Sequence, residues 1–217
     1  MTSGPSSGEP RHGATPMTAQ SAHDDVDPDA PPGWDYNPAA WVQRLPIIAL
    51  AVIGFAVAMY LALYQWRVVG SVWEPIFGGG SMTVLNSRVS HLFPFPFTDA
   101  FLGALGYLAD AVTGVIGGRA RWRTMPWIVI LFGLFVGPLG AVSVLLVILQ
   151  PVMFDAWCTL CLVTAAVSVL MIGPAMDEFL ASCQHIRRAK ALGRSAWRVF
   201  WGRDEQAAAG APGRAGN

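Results

Sequence analysis

Residues 155–174 read Asp-Ala-Trp-Cys-Thr-Leu-Cys-Leu-Val-Thr-Ala-Ala-Val-Ser-Val-Leu-Met-Ile-Gly-Pro, an apolar stretch with two cysteines near its start. A helix of this length and composition can cross the ~30 Å hydrocarbon core of a bilayer. Cys158 and Cys161 are three positions apart, so on a helix they lie on neighbouring turns and can form a reversible disulfide. The helix dipole at this end favours the thiolate, which is the reactive form. The alternative is that two small, soft side chains fill a helix interface.

The composition of the whole chain is that of a small multispanning membrane protein. Of its 217 residues, 53% are hydrophobic and 13% are charged, and the mean hydropathy is +0.45. A soluble domain with so few charges would be unusual. We therefore expect an all-α fold, a polytopic four-helix membrane bundle that contacts lipid and has no nucleic-acid partner.

Three regions follow along the sequence. Residues 1–40 are rich in Gly, Pro, Ser, Asp and Ala, which predicts a disordered tail. Residues 179–217 form a basic cytoplasmic region, and its first part is predicted to be an amphipathic helix on the anionic inner surface of the membrane. Residues 41–178 between them contain four predicted spans, at about 46–66, 99–118, 126–149 and 155–174.

The basic residues are distributed unequally between the two sides of these spans. Only Arg67 and Arg88 fall on the side that carries the cysteine pair. By the positive-inside rule, both termini are cytoplasmic and the cysteines face the oxidising exterior of an inner (cytoplasmic) membrane. Twelve of the 14 basic residues fall on the inner side, namely Arg11, Arg44, Arg119, Arg121, Arg123, Arg187, Arg188, Lys190, Arg194, Arg198, Arg203 and Arg214.

Three motifs occur in order along the predicted spans. The loop after span one contains Val84-Leu85-Asn86-Ser87-Arg88-Val89-Ser90. Span two opens with Phe-Leu-Gly-Ala-Leu-Gly-Tyr at residues 101–107, and span four opens with Trp157-Cys158-Thr159-Leu160-Cys161-Leu162. With this order and spacing, the chain from residue 46 to about residue 178 resembles the vitamin K epoxide reductase family, in particular its bacterial quinone-linked members.

The resemblance implies a membrane thiol–quinone oxidoreductase. Electrons from extracytoplasmic thiols would pass through a Cys158–Cys161 disulfide to a membrane quinone of the ubiquinone or menaquinone class. In the family pattern Cys158 exchanges with a second cysteine pair in the outer loop, and Cys161 reacts with the quinone. The family's loop hydroxyl, which hydrogen-bonds the quinone oxygen, corresponds to Ser87. A thioredoxin-like extracytoplasmic protein is the partner that the family implies.

One part of the family pattern is missing. Alignment on the Val-Leu-x-Ser motif puts Trp73 and Ser81 where the loop cysteines should be, and Cys183 lies beyond span four on the cytoplasmic side. A partner could reduce Cys158 directly, electrons could arrive by another route, or the oxidase cycle could be lost. The alternative functions are a non-catalytic protein that keeps the fold and binds an envelope partner, and a dithiol conduit without a quinone.

Other polar and aromatic residues have two interpretations each. Asp110 is either a proton relay to the quinone or a structural partner of Arg119, Arg121 or Arg123. Asp155 is expected to cap span four and to oppose thiolate formation. Several loop aromatics either anchor the protein at the membrane interface or form a quinone-facing wall; they are Trp73, Phe93, Phe95 and Phe97. The four histidines show no ligand spacing, so no metal site is predicted.

Overall fold

The computed structural model describes residues 27, 29–87, 90 and 95–204. Every regular element in this part of the chain is a helix, as the predicted fold class requires. The elements are α1 (Trp41–Gln65), α2 (Gly80–Leu85), α3 (Asp99–Val115), α4 (Arg121–Thr124), α5 (Pro126–Phe154), α6 (Thr159–Ala191) and α7 (Ala196–Phe200).

Four of these helices form a bundle around one apolar core. Helix α1 contacts α3 and α6, and α5 contacts the same two helices, so the four pack as a closed ring. Small residues allow close approach: a Cβ added to Gly54 of α1 would lie 2.6 Å from the ring of Tyr107 in α3. The predicted four-helix bundle is confirmed. Its core includes Ile47, Ala51, Ala104, Tyr107, Phe132, Val136 and Met171.

Helices α1, α5 and α6 are long and apolar enough to cross a membrane, judged by length and composition. Helix α3, which corresponds to the predicted second span, has 17 residues and is the shortest of the bundle helices. Helix α6 starts later than predicted and continues through Pro174 to Ala191. Proline inside a helix is tolerated in this setting because neighbouring groups satisfy the freed carbonyl.

The predicted disordered tail, residues 1–40, is partly ordered. Residues 29–40 pack against one end of the bundle, where Trp34 donates its indole N–H to Oε1 of Gln184 at 3.0 Å and Ala39 is fully buried. The prediction is therefore wrong for this segment, because long-range contacts of its aromatic side chains offset the weak local propensity. Before this segment only Asp27 is described, and residues 1–26 and 28 lie outside the described part.

The predicted basic helix after span four differs from the structure in its boundaries. Its first part is a continuation of α6, and the chain then turns at Gly193, which has a φ of 76°. The short helix α7 follows and lies against the start of α5, where Trp201 contacts Trp127 with ring centroids 5.7 Å apart. The residues after 204 lie outside the described part.

A buried ion pair closes the end of the bundle opposite the cysteines. The guanidinium of Arg121 binds both carboxylate oxygens of Glu178, and the side chains of both residues are 1% exposed. Arg44 and Arg121 also donate hydrogen bonds to the last carbonyls of α3, including that of Gly114. These donors satisfy groups that would otherwise be unpaired at a buried helix end.

Removing one partner of this pair is expected to destabilise the protein strongly. Glu178→Ala leaves the Arg121 charge buried and uncompensated, which costs about 3–5 kcal/mol. We expect a clear fall in the thermal unfolding temperature of the detergent-solubilised protein. The control is Arg198→Ala: this side chain is 64% exposed and pairs with Asp204 at 3.6 Å, so its loss should cost less than about 1 kcal/mol. Equal unfolding temperatures for the two variants would contradict this account.

Candidate functional site

The connection between α5 and α6 positions the cysteine pair. Helix α5 ends at Phe154, its C-cap Asp155 has a left-handed φ of 46°, and the chain then turns back into α6. Cys158 is the N-cap of α6, and its sulfur accepts a hydrogen bond from the backbone N–H of Cys161 at 3.1 Å. The two cysteines are joined by a disulfide with a Cα–Cα distance of 5.2 Å. The expectation that Asp155 caps this helix is wrong, since Asp155 is the C-cap of α5.

The two cysteines differ in their surroundings. Cys158 is fully buried beneath the outer loop and α2, in contact with a cluster that contains Val72, Val84 and Leu85. Cys161 is half-buried and forms part of the wall of a cavity. In this conformation the disulfide is therefore approached through Cys161.

Gln150 supports the pair from the neighbouring helix. Its Oε1 accepts a hydrogen bond from the backbone N–H of Cys158 at 2.9 Å, and its side chain is buried and lines the same cavity. Because Oε1 is the acceptor, the amide nitrogen is the donor end of this side chain. Sequence reasoning missed Gln150, which directly follows the predicted span at 126–149 and lies within the longer α5; an amide at the end of an apolar span is a signal that could have indicated it.

The cavity has a volume of about 720 Å³ and lies mainly between α3 and α5, with α1, α2 and α6 closing it. This size is within the range of small-molecule sites, and its wall is mostly aliphatic, as such sites usually are. A few polar side chains interrupt that wall: Ser90, Asp99, Tyr107, Ser143, Gln150 and Thr164. The cavity can therefore hold an apolar ring that carries a small number of polar atoms.

A chain of hydroxyl groups runs from this cavity into the core. The Tyr107 hydroxyl lies 2.6 Å from Oγ of Ser168, which in turn lies 3.2 Å from Oγ of Ser143. Tyr107 also donates to the carbonyl of Thr164 at 2.6 Å. Tyr107 and Ser143 line the cavity, so the chain ends at its wall. None of these three hydroxyls was identified from the sequence, because residues on three different helices form the chain.

The loop residues predicted from the sequence lie at different distances from the cavity. Ser90, rather than Ser87, lines it, and the two hydroxyl oxygens are 3.4 Å apart. Ser87 as a ligand of the quinone oxygen stays a prediction. Trp73 and Phe95 are 67% and 78% exposed and do not line the cavity, which favours the anchoring interpretation of the loop aromatics. Phe97 is also exposed, and Phe93 lies outside the described residues.

Asp110 is buried in α3 and is 1% exposed. Neither of its carboxylate oxygens has a hydrogen-bond partner among the described residues. The expected pairing with an arginine of the inner loop is wrong, because Arg121 binds Glu178 and the other two arginines bind the amino-terminal segment; those two pairs are Arg119–Asp27 and Arg123–Asp29. Its role as a proton relay stays a prediction.

Glu74, in the outer loop, connects that loop to the first turn of α6. Its carboxylate accepts hydrogen bonds from the hydroxyl and the backbone N–H of both Ser81 and Thr159, and from the N–H of Phe77. Burial alone would raise the pKa of Glu74, but these hydrogen bonds outweigh it and hold the pKa below its usual value. Sequence reasoning identified the adjacent Trp73 and the partner Ser81, but not Glu74 itself.

Glycine at position 80 makes this contact possible. An added Cβ there would lie 2.1 Å from the carbonyl oxygen of Trp157, so the start of α2 rests directly on the residue before Cys158. The outer loop and α2 therefore form a cover over the buried cysteine. We call this segment, residues 72–85, the outer cover.

A family model matches most of the chain. Residues 45–175 match the model described as the vitamin K epoxide reductase family, which is more than half of the 217 residues. No curated protein and no solved structure matches the chain. The match includes α3, α5, most of α1, the first half of α6 and both cysteines of the disulfide. The chain belongs to the vitamin K epoxide reductase family, a family of membrane oxidoreductases.

Proposed function

We propose that this protein is a membrane thiol–quinone oxidoreductase in which the Cys158–Cys161 disulfide accepts electrons from thiols and passes them to a quinone. The observation that carries the proposal is the position of Cys161 in the wall of an apolar cavity of about 720 Å³. A quinone ring with an isoprenoid tail, of the ubiquinone or menaquinone class, suits this cavity in size and polarity.

The reaction is balanced in two steps. A substrate dithiol reduces the Cys158–Cys161 disulfide by thiol–disulfide exchange and leaves as a disulfide. The resulting dithiol then gives two electrons and two protons to the quinone, which becomes the quinol, and the Cys158–Cys161 bond forms again. No further oxidant or reductant is needed.

Polar groups in the cavity wall are suited to stabilise the charge that develops on the quinone oxygens. Gln150 lines the cavity beside the cysteine pair, and its amide nitrogen can donate to one carbonyl oxygen. The Tyr107 and Ser143 hydroxyls supply donors elsewhere in the same cavity. Ser87, predicted from the family pattern, would act together with Ser90 at the loop end of the cavity.

This chain departs from its family in the step that reduces the disulfide. The outer cover has no cysteine at the positions of the family's loop pair and buries Cys158 completely. A small dithiol can reach Cys161 through the cavity, whereas a thioredoxin-like protein reaches Cys158 only if the cover moves. We therefore propose that small dithiols are better donors than folded proteins.

The proposed localisation is an inner membrane, with both termini in the cytoplasm. Support comes from the ion pairs and hydrogen bonds that gather Arg44, Arg121 and the segment 29–40 at the end of the bundle opposite the cysteines. Reporter fusions after Arg121 should give a cytoplasmic signal, and fusions near Phe154 should give an external one. The reverse pattern would place the disulfide in a reducing compartment and exclude this function.

The test of the proposal is quinone reduction by purified protein with dithiothreitol as the donor. We expect quinol to form at a rate proportional to protein concentration, with a Cys158→Ser, Cys161→Ser double variant as the control for uncatalysed reduction. A wild-type protein whose disulfide is reduced by dithiothreitol but forms no quinol would favour the non-catalytic or quinone-free alternatives.

A further inference from the structure

Besides the cysteines and the cavity, one further feature bears on the redox chemistry, namely the carboxylate of Glu74 in the outer cover. The Glu74 carboxylate accepts hydrogen bonds both from Ser81 of α2 and from Thr159, the residue that follows Cys158. Both oxygens are engaged, and the five donors, which include the N–H of Phe77, come from two separate segments of the chain. Such an arrangement fixes two segments to each other and fixes the position of a negative charge.

We infer that Glu74 is a positioning residue that fastens the outer cover over the first turn of α6 and holds a negative charge beside Cys158. The inference rests on the proposed function only in that the Cys158–Cys161 pair is redox-active. The cover closes the external approach to Cys158, and the charge acts on the equilibrium between disulfide and dithiol.

The direction of the charge effect follows from electrostatics. The N-terminus of α6 stabilises a thiolate at Cys158. A carboxylate next to it disfavours the thiolate and raises the free energy of the reduced pair, so the dithiol is a stronger reductant. Because its hydrogen bonds hold the pKa of Glu74 low, the carboxylate keeps its charge at neutral pH. A more reducing dithiol gives its electrons to a quinone more readily.

The cover effect rests on steric contact. Cys158 is fully buried, and Gly80 lies so close to the Trp157 carbonyl that no side chain fits between them. The hydrogen bonds from Thr159 to Glu74 are the polar attachment of the cover to α6 at this point. Loosening either contact should let hydrophilic reagents reach Cys158 from outside.

The first experiment uses Glu74→Gln, which keeps the shape of the side chain and removes its charge. Detergent-solubilised full-length protein is equilibrated in dithiothreitol redox buffers at neutral pH, and the two thiols are quantified by alkylation and mass spectrometry. We expect the equilibrium to shift toward the dithiol about tenfold, which is about 30 mV for this two-electron couple. Glu74→Asp, which keeps the charge, should lie close to the wild-type ratio of disulfide to dithiol.

The matched control is Asp155→Asn. Asp155 is also acidic and lies three residues before Cys158, but it is exposed and takes the left-handed conformation that asparagine tolerates. We expect the disulfide–dithiol equilibrium of Asp155→Asn to stay within about twofold of wild type, because screening by solvent weakens the effect of an exposed charge. A Glu74→Gln equilibrium equally close to wild type would overturn the electrostatic part of the inference.

The second experiment measures how fast a membrane-impermeant maleimide labels Cys158 in reduced protein. We expect Glu74→Gln and, independently, Gly80→Ala to label about tenfold faster than wild type. Unchanged labelling in Gly80→Ala, with Cys183 labelling as the check on folding, would overturn the covering role even if Glu74→Gln did not fold. Neither readout requires a quinone, so these results stand apart from the outcome of the quinone assay.

Discussion

Replacing Cys161 by alanine is expected to abolish dithiol-dependent quinone reduction, lowering the rate by on the order of 10³-fold or more, as loss of a reacting nucleophile does elsewhere. Cys161 is the cysteine that lines the cavity, and Cys158 is fully buried behind it. Without Cys161 no disulfide can form, and the remaining thiol is out of reach of a ligand in the cavity. The measurement is quinol formation by purified variants with dithiothreitol.

Two further variants define the roles of the cysteines. Cys158→Ala should also stop turnover, but its Cys161, which is half-buried and lines the cavity, should accumulate a mixed disulfide with a small thiol, which mass spectrometry detects. Cys183→Ala should keep wild-type activity, because Cys183 is a free thiol in the distant half of α6. Activity of Cys161→Ala comparable to wild type would mean that the cysteine pair fills a helix interface and that electrons follow another route.

The four bundle helices could be predicted because the signal for each one lies within its own stretch of sequence. Each bundle helix is an apolar run, and the start of α5 at Pro126 and of α3 at Asp99 coincide with the predicted starts. The segment 29–40 could not be predicted, since its order depends on partners such as Gln184 that lie far along the chain. Composition indicates how much apolar surface a segment can bury by itself, but not which contacts a helix far along the chain provides.

The candidate site likewise contains residues that a local motif predicts and residues that only folding brings together. The cysteine pair could be identified as a candidate because its spacing, which indicates a reversible disulfide, lies within four residues. Glu74 and Gln150 were missed because neither belongs to a local motif, and each becomes relevant only when folding brings it to Cys158 or Thr159. The pairing of Arg121 with Glu178, rather than with Asp110, likewise depends on which helix end the arginine reaches.

Filling the cavity should separate quinone binding from the redox chemistry of the cysteines. Gly103 of α3 lines the cavity, and an added Cβ there would meet no atom within 4 Å. A side chain can therefore start at this position without a clash at its Cβ, and Gly103→Phe is designed to put a ring into the cavity. We expect the rate of quinone reduction to fall about a hundredfold, because a displacement of about 1 Å in a reacting ligand costs that much.

Two measurements show whether the loss arises from the cavity. After long equilibration in dithiothreitol buffers, Gly103→Phe should keep the wild-type ratio of disulfide to dithiol, since the cysteine pair is untouched, while equilibrium binding of quinone should weaken. Gly173→Phe is the matched control: Gly173 is equally free of neighbours but is exposed and does not line the cavity, so this variant should bind and reduce quinone normally. Wild-type quinone reduction by Gly103→Phe would place the quinone elsewhere, and the position of Cys161 in the cavity wall would then no longer support the proposed electron transfer.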